Sequence, residues 1–252
     1  MAESFRLVQS ASAAIRLDAA ASFLEQLPPT QPVTIVAASR GAADDFARRV
    51  AIARGATFGI GRFSLTQLAA RVAINQLAGR GIAPASGLGA EAVAARAVFD
   101  AASAGGLRYL AGVAETPGFP RALARTVADL RLAGIQSGAV AHAGQPGPDL
   151  AALLQRIERE LDEASIADRT RLLAAATFAV ADDAALAIPL ILLDVAVNSP
   201  AEAAFVQALT RTASVVLATC PAHDVDACDA LGSVGGIVDQ LEERLSGVGH
   251  RT

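Results

Sequence analysis

The first stretch with the layout of a ligand-binding loop runs from Ser10 to Leu24, SASAAIRLDAAASFL. It follows a short apolar run, FRLVQ, and opens a helical pattern, which is where phosphate-binding loops occur. Such a loop needs glycines that open a nest of backbone N–H groups and a lysine that reaches the phosphates. Here Ser, Ala and Ile replace the glycines, and Arg16 stands in the place of the lysine. The stretch therefore indicates a phosphate loop that has lost its chemistry.

Three further residues follow an order that serves nucleophilic catalysis. Ser39 lies in AASRG at a strand-to-helix turn that imitates the G-x-S-x-G nucleophile elbow, and Asp194 and His223 follow later strands. The order Ser, Asp, His is that of α/β-hydrolases. Such an elbow comes after several strands, however, whereas at most one strand precedes Ser39, and no glycine-rich oxyanion loop is visible. An esterase that uses these three residues is the alternative interpretation of the chain.

Composition limits which functions are open. The 252 residues are 53% hydrophobic and 18% charged, enough to bury a sizeable core in one large or two small domains. Every basic residue is Arg, so the chain contains neither a phosphate-loop lysine nor a Schiff-base lysine. A net charge of −4 argues against a free-standing nucleic-acid binder. Binding of nucleic acid through a local stripe of arginines, within a larger complex, remains open.

The cysteines and the hydropathy predict a cytoplasmic protein without metal or membrane contact. Cys220 and Cys228 cannot form a zinc site alone, and without a signal peptide we expect them to be reduced thiols. The longest apolar run, AIPLILLDVAV, is interrupted by Asp194 and is far shorter than the ~20 residues that cross a bilayer.

The distribution of apolar residues predicts an α/β fold. Buried parallel strands are predicted at 33–39, 188–194 and 214–220, with a weaker one at 5–10. Each is followed by a helical pattern, which predicts a parallel sheet with right-handed crossovers. Helices without an intervening strand are predicted at 64–79, 89–104, 119–134, 148–164 and 168–182. We therefore expect residues 1–63 and 183–252 to form one α/β domain, with an all-α insertion at 64–182.

Taken in order, these elements resemble the first RecA-like domain of UvrD/RecB-type superfamily 1 helicases, particularly the degenerate copy at the N-terminus of AddB-type helicase-nuclease subunits. RLVQSASAAIRLDAAASFL takes the place of the Walker A strand, loop and helix. VTIVAASRGAADDFARRVA resembles motif Ia, and ATFGIGRFSLTQLAARVA resembles motif Ib. After an insertion where this family carries its 1B-type subdomain, LILLDVAVNSPAEAAFVQALTRTAS resembles Walker B, and VVLATCPAHD resembles motif III. The resemblance covers nearly the whole chain and implies a P-loop-NTPase-like sheet.

The resemblance implies ATP and Mg²⁺ as the family's cofactors, but the residues for their chemistry are missing here. In active members an acid pair at Walker B holds Mg²⁺ and positions water, whereas Asp194 is followed by Val195. Arg16 is a bulky, planar cation and a poor substitute for the Walker lysine. We expect no ATP hydrolysis and no bound cofactor. Two simpler interpretations stay open, in which Asp194 caps the following loop and Arg16 is a solvated residue of the first helical turn.

The resemblance also implies single-stranded DNA contacts at the turns of motifs Ia and Ib. Ser39, Arg40, Arg62 and Ser64 lie where helices start after these turns, and such positions suit phosphate oxygens. Phe63 offers a face for base stacking. The alternative is that Phe63 belongs to the core and that the arginines are merely solvated.

The 252 residues lack the family's second RecA-like domain and its nuclease site, which combines carboxylates with a lysine. The ending EERLSGVGHRT contains no strand that would close the domain. We therefore expect the N-terminal part of a longer protein, a truncated reading frame or a remnant. The predicted role is a scaffold or single-stranded DNA-binding part of a helicase-exonuclease that repairs double-strand breaks. Its partners would be the other helicase-nuclease subunit or the missing C-terminal domains.

Overall fold

The computed structural model describes residues 5–233 and 237–240. Within them the strands are β1 (Phe5–Ser10), β2 (Val33–Ala37), β3 (Ile60–Ser64), β4 (Ala83–Pro84), β5 (Ile166–Ala167), β6 (Leu190–Leu193), β7 (Val216–Pro221) and β8 (Ile237–Gln240). The helices are α1 (Ala13–Gln26), α2 (Arg40–Arg54), α3 (Leu65–Gly79), α4 (Gly87–Ser103), α5 (Ala111–Ala114), α6 (Phe119–Leu132), α7 (Ser137–Val140), α8 (Gly147–Glu163), α9 (Arg169–Val180), α10 (Pro200–Thr212) and α11 (Val225–Gly232). A single 3₁₀ turn spans Ala184–Leu186.

Six of these strands form one sheet in the order β3-β2-β6-β7-β1-β8, and neighbouring strands run parallel. The strands predicted at 33–39, 188–194 and 214–220 are present as β2, β6 and β7, and these three lie side by side. The weaker candidate at 5–10 is also a strand, β1. The chain thus folds as an α/β protein with a parallel sheet.

The continuous apolar runs are explained by burial of the central strands on both faces. All residues of β2 and β6 are buried, as parallel strands between helical layers require. One side packs against α1 and α2, through Leu24 and Phe46. Because Phe46 is only 1% exposed, it is a main anchor of α2 on the sheet.

Contacts divide the chain into two compact units. The sheet unit comprises Met1–Val72, Ala176–Asn198 and Glu202–Thr252, and the helical unit comprises Ala73–Ala175 and Ser199–Ala201. The five helices predicted for the insertion are α3, α4, α6, α8 and α9, each within two residues of its predicted ends. No helix among residues 5–233 combines the length and the hydrophobicity that a membrane span requires.

The expectation of an all-α insertion is wrong in one detail. β4 and β5 form a short parallel pair, in which Ala83 lies opposite Ile166 and Pro84 opposite Ala167. A two-residue strand has no periodicity that a sequence pattern could reveal. β3 and β8 were also not predicted, and the predicted lack of a closing strand at 242–252 falls outside the described residues.

A buried cation joins three helices of the helical unit. Arg131, in the last turn of α6, forms ion pairs with Glu158 of α8 and with Asp168, whose Oδ2 lies 2.6 Å from its Nε. Asp168 Oδ1 also accepts a hydrogen bond from the backbone N–H of Arg171 in the first turn of α9. Burial lowers the pKa of the Arg131 guanidinium, but hydrogen bonds and attraction from both acids outweigh this and raise the pKa above its ordinary value.

The start of α8 is fixed by a glycine and a buried acid. A Cβ on Gly147 would lie 2.6 Å from the carbonyl oxygen of Val140, so a larger residue does not fit. Two residues later, the carboxylate of Asp149 accepts the backbone N–H groups of Arg108 and Leu110, each at 2.8 Å. α8 thereby orients the loop before α5.

Candidate functional site at the carboxyl edge of the sheet

Arg16 is held in the first turn of α1, directly above the sheet edge. Its Nε donates a hydrogen bond to Asp194 Oδ1 at 2.9 Å, and its Nη1 donates to the carbonyl oxygen of Ser10. The side chain is only 7% exposed. The interpretation of Arg16 as a solvated helix residue is therefore wrong.

Asp194 follows β6 and has a left-handed backbone, with φ of +50°. Its side chain is bound to Arg16 and to Thr219 of the neighbouring strand β7, whose hydroxyl donates to Asp194 Oδ1 at 2.7 Å. The backbone N–H of Asp194 in turn lies 3.1 Å from that hydroxyl oxygen. The carboxylate thus binds side chains at the edge of the sheet and does not serve as a cap for the loop that follows.

The loop between β1 and α1 is too short for a phosphate cradle. Only Ala11 and Ser12 separate the two elements, whereas the P-loop motif places four residues between its glycines. The backbone N–H of Ser12 is already bound by Ser10 Oγ at 3.1 Å. Neither the loop nor its N–H groups are arranged to surround a β-phosphate.

The structure brings together the arginines predicted to contact DNA, but Arg62 lies within strand β3 and not at a helix start as predicted. β2 and β3 are adjacent and parallel, and Ala37 pairs with Ser64 at their carboxyl ends. Arg40 Nε lies 3.1 Å from both carboxylate oxygens of Asp44, and Arg40 Nη1 donates to the carbonyl oxygen of Arg62. Arg62 Nη1 is 3.5 Å from the same carboxylate. We call Arg40, Arg62 and Asp44 the edge cluster.

The two serines of this region serve as helix caps. Ser39 Oγ accepts the backbone N–H of Ala42 at 3.1 Å, which is a standard N-cap of α2. Ser64 Oγ accepts the N–H of Gln67, while Gln67 Oε1 accepts the N–H of Ser64, which forms a reciprocal capping box at α3. Both serines therefore fix the direction in which their helices leave the sheet.

Phe63 is partly buried, so the interpretation of this residue as part of the core does not hold in full. The guanidinium carbon of Arg71 lies 5.2 Å from the centre of its ring, within range of a cation–π contact. Gly61 leaves room for the ring, because a Cβ there would lie 3.1 Å from Phe63 Cε2. Neither Arg71 nor Asp44 was singled out by the sequence analysis, since helical partners of this kind carry no motif.

The edge cluster and Arg71 carry three positive charges and one negative charge. The side chains of Arg40 and Arg62 are 44% and 43% exposed, so both guanidinium groups reach solvent. A guanidinium fork binds phosphate oxygens in the same geometry as a carboxylate. The cluster can therefore exchange Asp44 for a phosphate group.

The residues of the esterase alternative share an edge but do not form a relay. Ser39 follows β2 and Asp194 follows the adjacent strand β6. Ser39 Oγ is engaged in its helix cap, and Asp194 is bound by Arg16 and Thr219. His223 is exposed, and no hydrogen bond within the described residues connects it to Ser39 or Asp194.

Cys220 and Cys228 form a disulfide, so the prediction of two reduced thiols is wrong in this structure. Cys220 lies in β7 and Cys228 in α11. The turn between them brings their Cα atoms to 5.8 Å, which is an ordinary separation for a disulfide.

The sequence matches no protein-family model, and no curated protein matches it.

Proposed function

We propose that this chain is a RecA-like domain of the P-loop-NTPase type that has no ATPase activity. Its role is to act as a scaffold and a weak single-stranded DNA contact within a helicase-nuclease that repairs double-strand breaks. The parallel sheet supports the proposal, as does the position of Arg16 and Asp194. The strand before the degenerate Walker A loop and the strand that ends at Asp194 are separated by β7 alone.

Three observations support the loss of ATP chemistry. The chain contains no lysine, the loop after β1 has two residues, and the cation at the Walker position is paired with the remaining Walker B acid. A nucleotide would have to break the partly buried Arg16–Asp194 ion pair before either residue could contact phosphate or Mg²⁺. Removing one partner of such a pair is costly, because the other charge stays buried.

The edge cluster is the observation that carries the DNA-binding part of the proposal. Arg40 begins α2 at the strand-to-helix turn after β2, Arg62 lies within the neighbouring strand β3, and their side chains meet at one solvent-exposed point. DNA phosphates bind arginine forks and helix N-termini at such turns. Arg71 and Phe63 lie beside them and offer a stacked cation and part of an aromatic face to a base.

Salt-dependent fluorescence anisotropy with a labelled oligonucleotide tests this function. If two or three phosphates are engaged, the log–log slope of affinity against salt should be about −1.5 to −2. Arg40→Ala combined with Arg62→Ala should bring the slope close to zero. Arg121→Ala combined with Arg125→Ala removes the same charge from exposed positions on α6 and should leave binding unchanged.

Two results would contradict the DNA-binding role. One is the absence of binding at low salt, and the other is binding that responds equally to the two pairs of substitutions. Either result would leave a scaffold or a remnant without a nucleic-acid contact.

A further inference from the structure

Helix α4 has two separate apolar faces. One face is part of the helical core and includes Ala94, Ala97, Val98 and Ala101. The other is exposed and consists of Leu88, Ala92, Ala95, Phe99 and Ala102, which we call the outer stripe. Leu88 is 82% exposed and Phe99 is 70% exposed, although both are large apolar side chains. A surface helix needs only one apolar face to join its own core, so the outer stripe is available to a partner.

The outer stripe has the spacing of a coiled-coil seam. Its members follow one another at intervals of four, three, four and three residues, which are the d and a positions of consecutive heptads. Alanines occupy its middle, and the bulky Leu88 and Phe99 lie toward its ends. Small residues in the middle let a second helix approach closely, while the large ones fill the space at either end.

We propose that two copies of this chain associate through the outer stripe, with their α4 helices parallel and in register. In this register each large side chain meets its own counterpart, Leu88 against Leu88 and Phe99 against Phe99. The interface is isologous and therefore closes as a dimer.

Charge determines the orientation. With the outer stripe at a and d, Glu91 occupies position g and Arg96 occupies position e of the next heptad. In a parallel pair, g of one helix lies beside e of the other five residues later, so Glu91 meets Arg96 of the second copy on both sides of the seam. In an antiparallel pair g faces g and e faces e, which brings like charges together. Opposite charges at these positions stabilise the parallel arrangement.

Arg96 remains available for this contact. Its side chain is 70% exposed, and its Nε lies 3.1 Å from Glu160 Oε2 in the same chain. The guanidinium has five N–H donors, so its terminal nitrogens can bind a second carboxylate while Nε keeps the first. Ile52 and Phe58 are also highly exposed apolar side chains, but they belong to the sheet unit and are not part of a heptad pattern.

The dimer should be weak, since the outer stripe covers about two heptads and forms an interface of the smallest class. α4 is already folded within its own unit, so pairing requires no helix formation. A dissociation constant on the order of 100 µM corresponds to such a small contact.

Sedimentation velocity on the full chain tests the proposal over a concentration range that brackets this value. The wild-type sedimentation coefficient should rise with concentration, and Leu88→Gln or Phe99→Gln should weaken association at least about tenfold. Glu91→Arg should weaken it as well, because arginine then faces Arg96 of the second copy. A mixture of Glu91→Arg with Arg96→Glu should recover the dimer, since both seams regain opposite charges. Phe58→Gln is the matched control, because Phe58 is 85% exposed and lies outside the helical unit.

Each other outcome overturns the proposal. If the wild-type chain stays monomeric well above this concentration, two copies do not pair through the outer stripe, which then serves a partner of different sequence. A dimer that survives Phe99→Gln, or is weakened equally by Phe58→Gln, uses another surface. A dimer that depends on Phe99 but not on Glu91 is not parallel and in register. Circular dichroism of each variant verifies that α4 and its unit remain folded.

Discussion

Arg16 and Asp194 are separated by 178 positions in the chain, yet Arg16 Nε donates a 2.9 Å hydrogen bond to Asp194 Oδ1. The pair connects the helix after β1 with the end of β6. Strand β7 lies between β1 and β6, and its Thr219 binds the same carboxylate oxygen. Three strands are thus tied together at their carboxyl ends. The pair therefore contributes to the cohesion of the sheet edge.

Arg16→Met should destabilise the chain by about 2–4 kcal/mol, because it leaves the Asp194 carboxylate without its counter-charge. The expected loss is at the lower end of that range if water reaches Asp194, which is 26% exposed. Urea denaturation measures the change, and Arg16→Met combined with Asp194→Asn should lose less than the sum of the single variants. Arg48→Met breaks the exposed Arg48–Asp45 pair and should cost at most about 1 kcal/mol. Equal losses from Arg16→Met and Arg48→Met would contradict a structural role for the Arg16–Asp194 pair.

Calorimetric titration with Mg-ATP should give no binding heat at micromolar nucleotide, since the loop after β1 offers no phosphate cradle. Saturable micromolar binding that disappears in Arg16→Ala would show that the ion pair opens for nucleotide.

Asp44→Asn should strengthen single-stranded DNA binding by about three- to tenfold at low salt. The substitution removes the carboxylate that competes with phosphate for Arg40 and Arg62. Asp45→Asn is the control, because it makes the same change of net charge one residue further along α2, where Asp45 pairs with Arg48 instead. Fluorescence anisotropy distinguishes the two variants, and an equal gain would indicate a non-specific effect of net charge.

Gly147→Ala should destabilise the helical unit by about 2–3 kcal/mol, because its Cβ would lie 2.6 Å from one backbone carbonyl oxygen and 3.0 Å from the next. Gly138→Ala in α7 meets no atom within 4 Å and should be neutral or stabilising. Thermal unfolding followed by circular dichroism compares the two variants. If Gly147→Ala unfolds at the same temperature as the wild type, the steric argument is wrong.

From the raised pKa of Arg131, we expect the folding stability that this residue contributes to persist at alkaline pH. Its folded-state pKa is raised above the ordinary value, so its contribution is complete below the unfolded pKa and is lost only as the pH rises through the folded one. Both values lie beyond the range in which proteins are handled. In Arg131→Lys, loss of stability should begin near the ordinary lysine pKa of about 10.4. Urea midpoints at pH 9 and pH 11 should diverge more in Arg131→Lys than in the wild type, and parallel changes would contradict the role of this cation.

The sequence predicts the central sheet and the helices well, because both depend on local patterns. Runs such as LILL in β6 are apolar throughout, which is typical of a strand buried on both faces. β3 is missed because its sequence, IGRFS, mixes apolar, glycine and polar residues and is only half-buried beside its neighbour β2.

The site was predictable in its location but not in its contacts. Parallel strands bring their carboxyl ends to one edge, so Arg40 and Arg62 were expected to lie near each other. The pairing of Arg16 with Asp194 depends on a strand order that no local pattern encodes. The same holds for Asp44, which lies within an ordinary helical stretch, and for the disulfide between Cys220 and Cys228.

The two-residue connection after β1 also has a consequence for nucleotide-driven changes of shape. A motor domain changes shape because its phosphate loop is alternately filled and emptied, and each state has a different affinity for its track. Here the connection after β1 has only two residues and Arg16 is paired with Asp194, so the sheet edge offers no phosphate loop to fill and empty. In the proposed role, the chain would therefore offer an ATP-hydrolysing partner a DNA contact whose affinity does not change during the partner's cycle.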